Sequence, residues 1–413
     1  MFQLDIPAVP YADPWLFPLE DRIRRAEQRR HRVAYLYDEV DNSTFRYRVY
    51  NMIQALDTTP DISATYFTTA EMEHLHRVLP HLETLVVVRS RYTNQLNQAI
   101  LRARGLGIRV LFDIDDMVFD IDYVPLIATT LDQDVSAPFP GGPWDYWFAY
   151  CGRLGATLKC CDGAITTNVF LAEQLHRFSG KPVWLIPNYM NREQLEISRR
   201  IFEQKRSRGF ARTGPIHLGY FSGSPSHNRD LELVSGALAR LLDARPDVVL
   251  RVVGYMEFKG TLAQYAPRIE RGSFLDFVNL QRSVGEVEIN LMPLQDNLFT
   301  SCKSELKYFE AGILGTLSMA SPTFTYRRAI TDGVNGYLVN NQDWDEKLGQ
   351  ALELAVDPDR YGQMAEKACE HSERHFAWYH HTARIAEILL ARAAHAVPEP
   401  AVSSSFSGPR RVA

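Results

Sequence analysis

The chain has 413 residues, more than the roughly 250–300 at which a single hydrophobic core stops growing, so two domains are expected. Apolar residues make up 46% and charged residues 23%, the balance of an ordinary globular protein, which excludes collagen-like and largely disordered chains. Forty-five basic residues against fifty acidic give a net charge of −5, which argues against a protein that coats nucleic acid through bulk charge.

The opening MFQLDIPAVPYADPWLF lacks the basic stretch and long apolar run of a signal peptide. No run approaches the ~18–20 apolar residues of a membrane helix. Five scattered cysteines (Cys151, Cys160, Cys161, Cys302 and Cys369) with no CxxC spacing suit a reducing compartment. These features place the protein in the cytoplasm, where any contact with the inner face of the membrane would be peripheral.

From about residue 32 short β-branched runs alternate with helical periodicity, the signature of βαβ units around a parallel sheet, and the pattern occurs twice. HRVAYLY reads as the first strand, followed by the turn DEVDNST and a helix near 45–56. TLVVVRS (84–90) and IRVLFDI (108–114) are continuous apolar runs of the buried-strand kind, joined by a helix over 91–105 that ends at Gly105. A helix within 145–178, the strand GAITTN (163–168), a helix around 169–178 and the strand VWLIPN (183–188) close the first unit. Residues 191–210 are charged and helical, as an interdomain connection would be.

The second unit starts at PIHLGYFSG (215–223) and continues through a helix at 229–243. VVLRVVG (248–254), EVEINLMPL (286–294) and TLSMAS (316–321) supply its further strands. Residues 373–395 make one long amphipathic helix, and the Pro/Ser-rich residues 396–413 carry the composition of a disordered tail. Two α/β doubly wound units would face each other across a cleft, and ligands of such sheets bind beyond the carboxyl ends of the strands.

The stretch CKSELKYFEAGILGTLSMAS (302–321) is the most informative. It predicts a helix over about 303–313 with Lys303 and Lys307 four apart and with Ser304 and Glu305 in the first turn. A helix start carries unpaired N–H groups and partial positive charge, so with Lys303 beside it this is a seat for a diphosphate. Glu310, further along, can accept hydrogen bonds from ribose hydroxyls.

That stretch, followed by TDGVNGYLV (331–339), resembles the donor-binding segment of retaining GT-B glycosyltransferases of family 4, where a later D-G-x-x-G-x-L-V hairpin follows the helix. IPNYMN (186–191) and the glycine loop FSGSPSHNRDLELV (221–234) extend the similarity over most of residues 160–390. The resemblance implies two Rossmann-like domains: an acceptor domain over 1–205, completed by the 373–395 helix, and a nucleotide-sugar donor domain over 206–372. It also implies sugar transfer to a saccharide or lipid-linked glycan acceptor, with retention and no protein nucleophile, in cell-surface polysaccharide or O-antigen assembly. The nucleotide sugar is then a substrate, no cofactor is needed and no metal is required. Lys303 would stabilise the leaving diphosphate. The family usually carries two glutamates eight positions apart, but eight before Glu310 stands Cys302, so backbone amides around Thr300 to Ser304 are expected to meet the donor sugar.

Other loops add candidates. In the glycine loop Gly223 allows close backbone approach to phosphates, and Ser224, His227 or Arg229 can contact them, although any tight turn uses such residues. In NSTFRYR (42–48), Ser43 and Thr44 can cap the next helix, while Thr44 and Arg46 are candidates for phosphate or acceptor contact. Arg46 and Arg48, two apart, cannot both face the cleft. In DIDDMVFD (113–120), strand alternation puts Asp113 and Asp115 on one face and Asp116 on the other. Asp115 or Asp116 is assigned to acceptor or donor-sugar hydroxyls, with structural capping as the other reading. His371 and His375, and His380 with His381, read as solvated surface histidines rather than metal ligands. Two other functions share the fold: a nucleotide-sugar 2-epimerase, and a catalytically inactive carbohydrate- or nucleotide-binding scaffold.

Overall fold

The computed structural model describes residues 1–41, 43–133, 142–223, 228–254 and 260–391. Two six-stranded sheets, parallel throughout, dominate it. The first contains β1 (His31–Tyr37), β2 (Ile62–Thr68), β3 (Thr84–Val88), β4 (Arg109–Asp113), β5 (Gly163–Thr166) and β6 (Val183–Leu185), in the spatial order β2-β1-β3-β4-β5-β6. The second contains β7 (Ile216–Ser222), β8 (Val248–Gly254), β9 (Ile269–Gly272), β10 (Ile289–Met292), β11 (Leu317–Ala320) and β12 (Tyr337–Leu338), in the order β12-β11-β10-β7-β8-β9. Helices cover both faces, which is why TLVVV of β3 is buried at every residue. In each sheet the first strand has neighbours to either side that are reached by crossovers in opposite directions, which opens a crevice beyond its carboxyl end.

Three elements depart from the sequence reading. ISATYFT, passed over because Ser63 and Thr65 interrupt its apolar run, is strand β2; helix Leu19–Arg25 covers it, and Thr65 Oγ1 donates to Arg22 O at 2.8 Å. The segment TDGVNGYLV is not a hairpin: β12 pairs in parallel with β11, and only an isolated bridge joins Asp332 to Gly336. The expected helix over 373–395 is two helices, Pro358–Phe376 and Thr382–Leu390, parted at Ala377. There the chain turns extended and bridges Met190, with Met190 N donating to Phe376 O at 2.7 Å and Trp378 N to Met190 O at 3.1 Å.

After that crossing, helix Thr382–Leu390 packs Ile385, Ile388 and Leu389 into the apolar cluster of the first sheet. The amino-terminal segment makes the opposite journey. Although the sequence reading groups it with the first domain, Phe2 N donates to Glu286 O at 2.9 Å and the Phe2 and Ile6 side chains join the second domain's core. Helix Arg192–Ser207 connects the units and buries Ile197, Ile201 and Phe202 in that same core. No helix among the described residues is long and apolar enough to cross a membrane.

Of the four histidines around the crossing, His375 and His380 are exposed as expected, but His371 and His381 are not solvated. His371 Nδ1 lies 3.0 Å from the Tyr308 hydroxyl, and His381 stacks on Tyr189 with centroids 4.9 Å apart and its Nε2 3.0 Å from His375 O. Burial pushes both imidazoles down to about 4. Below its ordinary pKa near 6.5 the unfolded chain takes up a proton that the folded one refuses until about 4, so stability falls as pH drops through that window. Urea unfolding between pH 7 and 4.5 is expected to show this decline, and His381→Phe to make it shallower; an unchanged slope refutes the assignment.

Inside the first domain Arg48 and Asp113 form a two-bond ion pair, Nε–Oδ1 and Nη2–Oδ2 each 2.8 Å, with side chains 0% and 2% exposed. Removing one partner strands the other charge in the core, which costs about 3–5 kcal/mol. Asp113→Ala is therefore expected to lower the unfolding free energy by that amount in denaturant titrations, and a loss under about 1 kcal/mol would contradict the buried pairing.

Candidate functional site

A cleft of about 610 Å³ lies where the two sheets' carboxyl ends meet. From the first domain it is lined by Thr44 after β1, Arg89 after β3, and Asp115 and Asp116 after β4. From the second come Phe221, Ser222 and Gly223 at the end of β7, Gly254 at the end of β8, and Lys303, Lys307 and Glu310.

The loop after β1 is shaped by Asp41, not by the Ser43 or Thr44 cap expected from sequence. Asp41 Oδ1 accepts from the amides of Ser43 (2.7 Å) and Phe45 (3.2 Å), and Oδ2 accepts from the Tyr37 hydroxyl at 2.8 Å. Thr44 is left to accept from Arg89 Nη1 at 3.3 Å. A widened π-helical turn follows, Arg46–Tyr50. It separates the two arginines as predicted: Arg46 lines the cleft, and Arg48 holds Asp113 in the core.

The predicted alternation of the acids fails because β4 ends at Asp113. Beyond it the period of two no longer applies, and Asp115 and Asp116 both line the cleft. Arg89 reaches both, Nη1 to Asp115 Oδ1 at 3.2 Å and Nη2 to Asp116 Oδ2 at 3.8 Å, while its Nε donates to the Tyr150 hydroxyl at 3.0 Å. Its backbone sits at φ 40°, a left-handed conformation uncommon for a residue with a side chain. Burial pushes the Asp115 carboxyl up; the Arg89 charge opposes this and the like charge of Asp116 adds to it.

In the second domain the helix starts at Leu306, three residues later than predicted, and spans Leu306–Gly312. Residues 302–305 form a turn instead. Lys303 in that turn lines the cleft, its Nζ 3.5 Å from Asp116 Oδ1 and 4.6 Å from the Phe299 ring centre. Lys307 in the first helical turn also lines the cleft, with its Nζ 5.1 Å from the Tyr220 ring centre; burial lowers its pKa.

Ser304 and Glu305 are not among the lining residues. Ser304 Oγ accepts from Asn188 Nδ2 at 3.0 Å, and burial pushes the Glu305 carboxyl up to about 7. Nor are the amides of Thr300 to Lys303 open to a sugar: they donate in turn to Asn297 Oδ1, Asn297 O, Phe299 O and Thr300 O. Cys302 is fully buried against Met117, with the sulfurs 3.6 Å apart.

Arg229 does not line the cleft either. It pairs with Asp132 at 2.6 Å and donates to Thr129 O at 2.7 Å, tying the second domain to the first. Gly223 does line it, and a side chain there would meet nothing within 4 Å. The sterically demanding glycine is Gly254, passed over in the sequence: its φ is +101° and a Cβ would fall 1.9 Å from Ser222 O. Ser224 and His227 lie outside the described residues.

Three functional candidates escaped sequence reasoning, Arg89, Tyr47 and Gln194, and a fourth, Lys307, was placed on the helix but given no role. Arg89 had a local signal, a cation directly after the buried run TLVVV, and Lys307 had its spacing from Lys303. Tyr47 and Gln194 had none, because they meet Glu310 only in three dimensions: Tyr47 donates to Glu310 Oε1 at 2.5 Å and Gln194 Nε2 to the same oxygen at 3.0 Å.

Residues 216–357 match the family model of glycosyl transferases group 1. Solved structures similar to most of the chain include HepE of Anabaena in complex with UDP, at 13% identity and a TM-score of 0.56, with 86% of this chain and 99% of that one covered. Sucrose-phosphate synthase of Thermosynechococcus elongatus is 14% identical with a TM-score of 0.57, covering 86% of this chain and 97% of its own. A glycosyltransferase of Rickettsia africae is 11% identical with a TM-score of 0.54, covering 87% and 99%. Among curated proteins no sequence match is found. The chain therefore has the GT-B fold of two Rossmann-like domains, and its second domain matches glycosyl transferases group 1.

Proposed function

We propose that the protein is a glycosyltransferase that binds a nucleotide-diphosphate sugar in this cleft and transfers the sugar to a saccharide acceptor. The observation that carries the reading is the gathering of Arg46, Arg89, Lys303 and Lys307, from both domains, around one cleft at the carboxyl ends of two doubly wound sheets. A chain of net charge −5 has no general reason to collect cations there. A diphosphate supplies one, because charge developing on a leaving phosphate is stabilised most by cations already fixed in a water-poor site. Neutralisation is assigned to these side chains, with no call for a metal ion or cofactor.

In this reading Lys303 and Lys307 meet the diphosphate, and the apolar wall of Val253, Leu275, Leu280 and Val284 receives the base. Glu310 accepts from ribose hydroxyls, while Asp115 or Asp116 binds hydroxyls of the acceptor or donor sugar. The bond from the anomeric carbon to the diphosphate breaks, a bond to the acceptor oxygen forms, and the hydroxyl proton passes to the departing phosphate oxygen. The resemblance to family 4 favours retention, a saccharide or lipid-linked acceptor at the inner face of the membrane, and a role in cell-surface polysaccharide assembly.

Cys302 takes no part. A glutamate at that position would have to bury a carboxylate against Met117, so the donor sugar must be held by other groups, and Asp116 and Lys303 are nearest in the cleft. Cys302→Glu is accordingly expected to cost several kcal/mol of stability in urea titrations; a variant as stable as the parent would show that this turn can present an acid to the cleft.

Thermal unfolding with UDP-, GDP-, dTDP- and ADP-sugars tests the donor reading. A true donor at a hundred times its dissociation constant adds about 2.7 kcal/mol of stability. Lys303→Ala should weaken that donor about tenfold or more, as expected for losing a charged hydrogen bond. If none of the four classes raises the melting temperature the proposal fails, and an undiminished shift in Lys303→Ala removes Lys303 from the site. NMR of the products with and without glycan acceptors separates transfer from epimerisation.

A further inference from the structure

Glu310 is held in an unusual way. Three donors converge on its Oε1: Tyr47 Oη at 2.5 Å, Gln194 Nε2 at 3.0 Å and Arg46 Nη2 at 3.4 Å. No described residue donates to Oε2, yet the residue lines the cleft with 15% of its side chain exposed. A carboxylate offers about four acceptor positions, so half of this one's capacity is left for something in the cleft. The donors come from separate elements, Tyr47 and Arg46 from the π-helical turn after β1 and Gln194 from the first turn of the connecting helix. Tyr47 and Gln194 are themselves buried, at 3% and 0% exposed. Gln194 is anchored in turn, its amide N donating to Asn191 Oδ1 at 2.9 Å, and the Arg46 guanidinium stacks over the Tyr47 ring at 4.0 Å.

We infer that Tyr47 and Gln194 are positioning residues that pre-set the Glu310 carboxylate for the ribose diol of the donor, so that recognition of ribose in the second domain depends on the first. The inference rests on the donor reading proposed above. Its physical basis is preorganisation. A carboxylate fixed by buried donors loses little rotational freedom when its open oxygen accepts a hydroxyl, whereas one released from them must be ordered anew by the ligand. π-Helical turns also cluster at functional sites, and this one brings Arg46 and Tyr47 to the same carboxylate oxygen. A purely structural tie between domains would have no use for an open second oxygen on the cleft side.

Calorimetric titration of the whole protein with UDP and with 2′,3′-dideoxy-UDP distinguishes the two roles. The wild type is expected to prefer UDP about tenfold or more, in line with hydrogen bonds to a charged group. Tyr47→Phe should reduce that preference to about threefold or less while leaving the affinity for the dideoxy compound unchanged within about twofold. Gln194→Met provides the same comparison should Tyr47→Phe fail to fold. Equal weakening of both nucleotides, or an unaltered preference, assigns Tyr47 a structural role and overturns the inference. Wild-type protein that binds both equally also overturns it, leaving the donor reading in place. If none of UDP, GDP, ADP and dTDP binds, the donor reading falls and the inference with it, whereas binding of dTDP alone, which has no 2′-hydroxyl, overturns the inference and leaves the donor reading in place.

Discussion

The double passage of the chain between the domains is the constraint on which the rest depends. Met190, on the way out of the first domain, and Ala377, on the way back, lie side by side and exchange backbone hydrogen bonds through Phe376 and Trp378. Two peptide segments bonded in this way turn two separate sheets into one cleft, because they fix where each set of carboxyl ends lies relative to the other. The same region reaches the site directly. Asn188, two residues before Met190, accepts from buried Arg48 at 3.1 Å and donates to Ser304 at 3.0 Å, so the turn that carries Lys303 is tied to the core of the opposite domain.

The electrostatics of the cleft follow from that arrangement. Four cations and three acids, Asp115, Asp116 and Glu310, line one space, and several belong to opposite domains. Each acid has a cation of the other domain or of its own within reach: Asp116 has Lys303 at 3.5 Å and Arg89 at 3.8 Å, Asp115 has Arg89 at 3.2 Å, and Glu310 has Arg46 at 3.4 Å. None of these contacts except the first two shares an acid, and the Lys303 contact is long for an ion pair. Lys307 is half-buried, its Nζ 5.1 Å from the Tyr220 ring centre, and the charges of Asp230, Lys303 and Glu310 act on it from a distance. Cations so loosely matched in a partly desolvated space attract an incoming anion more strongly than the same cations would on an open surface.

Legibility in the sequence followed the range of the interactions. Strands β1, β3, β4 and β7 were readable because burial on both faces leaves continuous apolar runs. Strand β2 was not, since Ser63 and Thr65 look like surface residues until helix Leu19–Arg25 offers them backbone carbonyls. The break at Ala377 was invisible because amphipathic periodicity runs through it; only the bridge to Met190, far away in sequence, pulls that residue out of helical geometry. Cys302 stood out as a departure from a family pattern, but its burial against Met117 of the other domain could not be foreseen.

By itself the sequence determined two parallel α/β units, the connection between them and the segments in which Thr44, Arg46, Asp115, Asp116, Gly223, Lys303 and Glu310 stand, since these depend on short-range periodicity and on strand ends. Tertiary structure alone decided which members of each segment reach the cleft. Asp113 was taken into the core by Arg48, Arg229 was drawn to Asp132, Ser304 was held by Asn188, and Glu310 received Tyr47 and Gln194. The reason is the same in each case: a polar side chain leaving water must find a partner, and for these residues the partner comes from a distant part of the chain, which local pattern does not encode.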